Sequence, residues 1–271
     1  MSKKSLLSPA CVLAFGLAIP SILSFSIPGQ RTHTTWTSAS ETTPVLVAAA
    51  ADLQYAMDSL IHAFIQDNPG AAVQATYGSS GNFFAQITHG APFDLFFSAD
   101  MDYPRKLAEQ KLALGPVRPY AVGQIVLWSK RLDPSQEKMN TLLNSAVGKI
   151  AMANPAHAPY GKRAQESLLY YKLYDRVRDR LILGENISQT AQYAASGAAD
   201  IGIIALSLAR SPAMQREGGK FWEIPAGSHQ PMQQGCILLQ HAKGNETARK
   251  FLDFMFKPRA VSILNDFGLD D

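Results

Sequence analysis

Tyr77-Gly78-Ser79-Ser80-Gly81-Asn82-Phe83-Phe84 joins a strand to a helix. Val73, Ala75 and Tyr77 alternate ahead of it with the period of a strand, and Phe83, Phe84 and Ile87 follow at helical spacing. Small hydroxyl residues at a helix start leave backbone N–H groups uncovered and pointed at one place, which suits an anion. The spacing of Gly78-Ser79-Ser80-Gly81 is not the G-x-S-x-G of a hydrolase elbow. His89 and His157, the nearest bases in sequence, read as surface or packing residues without triad context, and His33, His62, His229 and His241 show no metal spacing.

Working outward, short apolar runs alternate with helical periods from Val45 onward, the pattern of βα units around a largely parallel sheet. Val45-Leu46-Val47 precedes Leu53, Ala56, Met57, Leu60, Ile61 and Phe64, one apolar helix face that stops at Asn68-Pro69-Gly70. Strands are expected at 94–97, 125–128, 149–152, 201–206 and 236–239. A long helical pattern is expected over 165–183, and further helices at 188–195, 246–256 and 258–267. The fold expected is α/β with two lobes, 41–122 plus 232–271 and 123–231, joined by two crossings that act as a hinge.

The N-terminus reads differently. Lys3 and Lys4 precede an apolar run over 6–23 with Pro9 and Pro20 inside it, the order of a secretory signal peptide, with cleavage between about 26 and about 40. An uncleaved anchor is the alternative, since the run is near the lower limit of about 17 residues for a spanning helix. The mature protein is expected outside the cytoplasm. Removing 1–40 takes away Lys3, Lys4 and Arg31 and no acid, so the net charge of +3 falls to zero. Such a chain is a poor candidate for nucleic acid, and any anion site must work locally. Cys11 falls in the signal and lacks a small-residue lipobox; Cys236 stands alone and reads as a core strand residue, so no disulfide is expected. With 46% hydrophobic residues the chain has ample core.

The opening motif has company. Ala48-Ala49-Ala50-Ala51-Asp52, Asn154-Pro155-Ala156-His157-Ala158-Pro159-Tyr160-Gly161 and Gly184-Glu185-Asn186-Ile187-Ser188 each open a helix. Taken singly, each is an ordinary capped helix. Two starts in each lobe of an open α/β fold can instead converge on one cleft at the carboxyl ends of the strands.

These stretches, with Gly90-Ala91-Pro92-Phe93-Asp94-Leu95-Phe96-Phe97-Ser98-Ala99-Asp100, are where the chain from Val45 to Phe267 resembles the periplasmic molybdate-binding proteins of ABC importers. The resemblance implies a type II periplasmic-binding-protein fold and a monomeric, non-enzymatic receptor without cofactor. It captures molybdate, and tungstate with it, for a membrane permease. The dianion is held by hydrogen bonds alone: the hydroxyl and N–H of Ser80 and the backbone N–H groups of Asp52, Tyr160 and Ile187, with Ala51, Ser79, Asn82 and Ala205 as weaker candidates. Six or seven charge-assisted bonds of about 1.5 to 3 kcal/mol reach the roughly 8 to 12 kcal/mol of micromolar to nanomolar binding.

Two positions depart from the family. Many members have Ser or Thr where this chain has Asp52, and some have a Tyr hydroxyl where Ala205 stands, a loss that the Tyr160 hydroxyl would offset. A carboxylate beside a dianion is repelled, so Asp52 caps its own helix, is protonated, or accepts a proton carried by a ligand such as hydrogen phosphate; capping is the expected role. Direct coordination of the metal centre and a secreted serine hydrolase using Ser80 are the remaining alternatives. Tyr170, Tyr171 and Tyr174 are assigned to packing and surface. Arg176, Arg178 and Arg180 read as a solvated face or a permease docking surface, and Asp200 as the turn into its strand.

Overall fold

A computed structural model describes residues 43–270. The expected signal peptide and its cleavage region lie outside the described residues. The chain runs β1 (Val45–Ala50), a 3-10 turn (Ala51–Leu53), α1 (Gln54–Asp67), β2 (Val73–Gly78), α2 (Ser80–Thr88), β3 (Leu95–Ser98), α3 (Asp102–Glu109), β4 (Arg118–Gly123) and β5 (Ile125–Ser129). It continues through α4 (Pro134–Glu137), β6 (Ile150–Ala153), α5 (Pro159–Tyr170), α6 (Tyr174–Val177), β7 (Leu181–Gly184), α7 (Ile187–Ser196), β8 (Ile201–Ala205) and α8 (Leu206–Ala209). The last elements are α9 (Pro212–Arg216), β9 (Lys220–Glu223), β10 (Met232–Leu238), α10 (Glu246–Phe254) and α11 (Pro258–Asp266).

Ten strands form two sheets, in the orders β2-β1-β3-β10-β4 and β7-β6-β8-β5-β9. Each is mixed rather than largely parallel: β2, β1 and β3 run parallel, as do β7, β6 and β8, while β10 and β5 run antiparallel to both of their neighbours. The chain leaves the first sheet at Gly123 and joins the second at Ile125; it returns between Glu223 and Met232.

The middle strands β3 and β8 are buried at every residue, the mark of a strand covered on both faces. On α1 the buried residues Ala56, Met57, Leu60, Ala63 and Phe64 recur at helical spacing, and Phe64 meets Phe251 of α10 edge-on at 5.0 Å between centroids. Its stop falls where expected, with Pro69 following and Gly70 at φ +90°.

The expectation of one long helix over 165–183 is overturned. α5 ends at Tyr170, Lys172 turns the chain with φ 55°, α6 supplies one further turn, and 181–184 form the edge strand β7. Leu173 and Val177 keep a helical period because that separate turn buries them, while Leu183 on the edge is 48% exposed. The arginine face is also revised. Arg180 donates from its guanidinium to the carbonyls of Val147 and Leu142, at 2.6 and 2.8 Å, so only Arg176 and Arg178 stay exposed. Asp200 accepts from the N–H groups of Gly148 and Lys149, which hold its carboxyl below the usual range and tie β8 to the strand beside it.

Tyr170 is exposed, whereas Tyr171 and Tyr174 pack partly buried against the core of the second sheet. Cys236 is fully buried on β10, and burial pushes its thiol up to about 12.

Candidate functional site

Five chain segments close a small cavity of about 10 Å³, lined by Ala50, Ala51, Asp52, Gly78, Ser79, Ser80, Ala99, Ala158, Pro159, Tyr160 and Ile187. A cavity of that size holds about one water molecule. The alanines leading out of β1 let the backbone come close, and all four from Ala48 to Ala51 are buried.

The four helix starts fall into two kinds. The turn after β1 begins at Ala51 behind an N-cap Ala50, and α5 begins at Pro159 behind an N-cap Ala158; neither has a side-chain cap. The starts of α2 and α7 are capped: Ser79 Oγ accepts from Asn82 N–H, and Asn186 Oδ1 from Gln189 N–H at 3.0 Å. The first N–H groups of a helix have no partner within it, and buried backbone donors require one. Pro159 removes one such donor and leaves Tyr160 N–H as the first on α5. Ser80 and Ile187 are the first residues of α2 and α7.

Ser80 is buried, and its Oγ accepts from Ala99 N–H at 3.0 Å. That bond fixes the oxygen and leaves the hydroxyl hydrogen free to donate. His157 does not reach Ser80: its Nδ1 lies 3.0 Å from Ser79 Oγ, so it packs half-buried against the start of α2 and does not line the cavity. The same loop docks on α2 through Gly81 N–H, which donates to His157 O at 2.9 Å. A Cβ at Gly81 would come within 2.6 Å of that carbonyl, so the contact requires glycine.

The expected capping role of Asp52 is not what the structure shows. Neither the turn nor α1 has a side-chain cap bond, and the Asp52 carboxylate is turned instead toward α5 and β10. Its Oδ2 accepts from the Tyr160 hydroxyl at 2.9 Å and from Gln234 Nε2 at 2.7 Å. Its Oδ1 is buried and has no hydrogen-bond partner. Burial raises the Asp52 carboxyl to about 6, although the bonds from Gln234 and Tyr160 pull the other way. The Tyr160 hydroxyl is therefore committed to Asp52 and does not stand in for the donor missing at Ala205. Burial, followed by the Asp52 charge, holds the Tyr160 and Tyr120 hydroxyls well above their ordinary range.

Two further candidates fall away from the cavity wall. Asn82 spends its side-chain amide on Glu185 Oε1, and Ala205 ends β8 as the N-cap of α8, buried in the core without lining the cavity. Gln234 is the residue that sequence reading missed. It sits in an ordinary alternating stretch, and only folding brings it 182 positions back to Asp52. Gly123 makes room for it, since a Cβ there would meet Tyr160 Oη at 2.6 Å and Gln234 Nε2 at 2.8 Å. Ser207 completes the surroundings by donating to the Asp52 carbonyl at 2.8 Å.

A larger groove of about 580 Å³ lies elsewhere, between α1, α10 and α11. Its charged lining is mixed, with Arg259 paired to Asp67 at 2.6 Å, and none of the four helix starts opens into it.

The sequence profile of bacterial extracellular solute-binding proteins matches residues 45–270. The molybdate-binding protein ModA of Rhodobacter capsulatus is 35% identical over 210 residues, 77% of this chain and 81% of that protein. ModA of Azotobacter vinelandii is 32% identical over 231 residues, 85% of this chain and 91% of that protein. The solved structure of the Azotobacter vinelandii periplasmic molybdate-binding protein superposes with a TM-score of 0.76 at 32% identity, over 83% of this chain and 98% of that one.

Proposed function

This chain belongs to the bacterial extracellular solute-binding protein family, and we propose that it is an extracytoplasmic receptor for molybdate, and for tungstate with it, serving an ABC importer. The observation that carries the reading is the pair of uncapped helix starts at Ala51 and Pro159, which meet the capped starts of α2 and α7 around one buried cavity. The N–H groups of Asp52, Ser80, Tyr160 and Ile187 and the Ser80 hydroxyl are the donors. A tetrahedral anion without net protein counter-charge is held by such donors at helix N-termini.

Capture requires movement. The cavity takes about one water, so the walls part to admit the anion and close around it. The moving bodies are the lobes 41–122 plus 232–271 and 123–231, and the two crossings between the sheets are the hinge. The closed form is the shape offered to the permease. Binding rather than catalysis fits the site, because Ser80 has a backbone N–H for its partner and the nearby histidine is bonded to Ser79.

A second ligand has one observation in its favour: the unpartnered Oδ1 of Asp52 would accept a hydrogen from a protonated anion such as hydrogen phosphate. Isothermal titration with molybdate, tungstate, sulfate and phosphate separates the two. Molybdate and tungstate are expected to bind tightest; phosphate or sulfate binding more tightly would overturn the assignment.

A further inference from the structure

The cavity wall carries an acid whose two oxygens are treated differently. Both protein donors, Tyr160 and Gln234, converge on Oδ2 of Asp52, and Oδ1 is left buried and alone. The orientation of Gln234 is fixed from behind, because Tyr120 of β4 donates to its Oε1 at 2.7 Å and so turns Nε2 toward Asp52. Oδ2 is thereby held as an acceptor twice over. A hydrogen on a neutral Asp52 belongs on Oδ1, where the protein offers it no acceptor. A fully ionised oxyanion is the complement: acceptor-only, and repelled by a bare carboxylate in the same cavity.

We propose that Asp52 takes up one proton as the site captures its oxyanion, so that the neutral carboxyl donates from Oδ1 to an anion oxygen. The inference rests on the oxyanion reading above. It makes Asp52 the residue that couples capture to pH and selects anions that arrive without a hydrogen of their own. An anion that brings its own proton would fill Oδ1 with no uptake from solution.

Few other groups can supply or take that proton. Tyr160 from α5 and Tyr120 from β4 face Asp52 with hydroxyls pushed far up, Gln234 from β10 and Ser207 from α8 do not titrate, and Ser80 of α2 shares the cavity. Asp100 and Cys236 act on Tyr120 rather than on Asp52, and no lysine or arginine among the described residues bears on the carboxyl. His157 lies outside the cavity lining, with its Nδ1 3.0 Å from Ser79 Oγ.

Titration calorimetry with molybdate in two buffers of different ionisation enthalpy counts the protons. With a free-state value of about 6, uptake is expected to approach one proton per molybdate near pH 8 and to vanish near pH 5. Affinity weakens as pH rises, by about tenfold per unit across the coupled range. In Asp52→Asn both the uptake and the pH slope disappear, whereas His157→Gln keeps them. Wild-type protein that binds molybdate near pH 8 without uptake overturns the proposal, and so does uptake that persists in Asp52→Asn. If Asp52→Asn does not fold, the wild-type count with His157→Gln decides: uptake lost in His157→Gln overturns it. Absence of molybdate heat alongside sulfate or phosphate heat would instead overturn the ligand assignment, and the same count on that anion then judges Asp52.

Discussion

The two sheets are built to one plan, and the site lies where the copies differ. In each, the strand beside the centre leads to an uncapped helix start, after β1 and after β6; the outer parallel strand leads to a start capped by a side chain, Ser79 after β2 and Asn186 after β7. Ser80 and Ile187 are then equivalent first helical residues, and Asp52 and Tyr160 are equivalent second ones. The equivalent pair Asp52 and Tyr160 meet across the cavity in a hydrogen bond of 2.9 Å. Backbone donors are thus shared equally by the two halves, whereas the side-chain chemistry is not. The first half holds a hydroxyl whose hydrogen is uncommitted and a carboxyl; the second supplies an apolar side chain and a phenol already committed to that carboxyl.

Replacing the charged member of the pair is the strongest way to break this asymmetry. Asp52 titrates near 6 in the fold and near 3.8 as a free side chain, so the folded chain keeps a proton that the unfolded chain has lost in between. Its raised value makes stability fall as pH rises from about 4 to about 6, by up to about 3 kcal/mol. Asp52→Asn is expected to remove that loss. The gap in melting temperature between variant and wild type should open through the same window in favour of the variant, and a constant gap would show that Asp52 does not titrate there.

Ser80→Ala tests the hydroxyl that Ile187 has no counterpart for. Losing one donor to an anion costs about 1 to 3 kcal/mol, so titration should show molybdate bound roughly 5- to 150-fold more weakly. Asn186→Ala removes a cap that lies behind the N–H donors of α7. It should lower stability by about 1 kcal/mol in denaturant unfolding. Its effect on affinity should stay smaller than that of Ser80→Ala; the reverse order would mean that the capped starts matter to the ligand more than the hydroxyl does.

What was legible in the sequence follows the same physics. The central strands β3 and β8 are continuous apolar runs because both faces are covered, and each was readable. Three of the four edge strands, β4, β7 and β9, were not: β4 contains Pro119, β7 is partly exposed on most of its length, and β9 has four residues with exposed ends. The helix starts around the cavity were readable, since they depend on residues adjacent in the chain. Gln234 and the turn of Asp52 away from its own helix were not, because both depend on contacts more than 100 positions apart. A preferred N-cap type near a helix start outweighs nothing when a phenol and an amide from elsewhere compete for its carboxylate.

Cys236 turns the first sheet into a clock. It lies between Phe97 of β3 and Arg118 of β4, fully buried, and is the single free cysteine among the described residues. With its thiol pushed up to about 12, almost none of it is the reactive thiolate at neutral pH. In an oxidising compartment such a group stays inert while the sheet is intact. Its alkylation rate therefore reports how often β10 parts from its neighbours, a measure of sheet breathing that needs no engineered cysteine and does not touch the cavity wall.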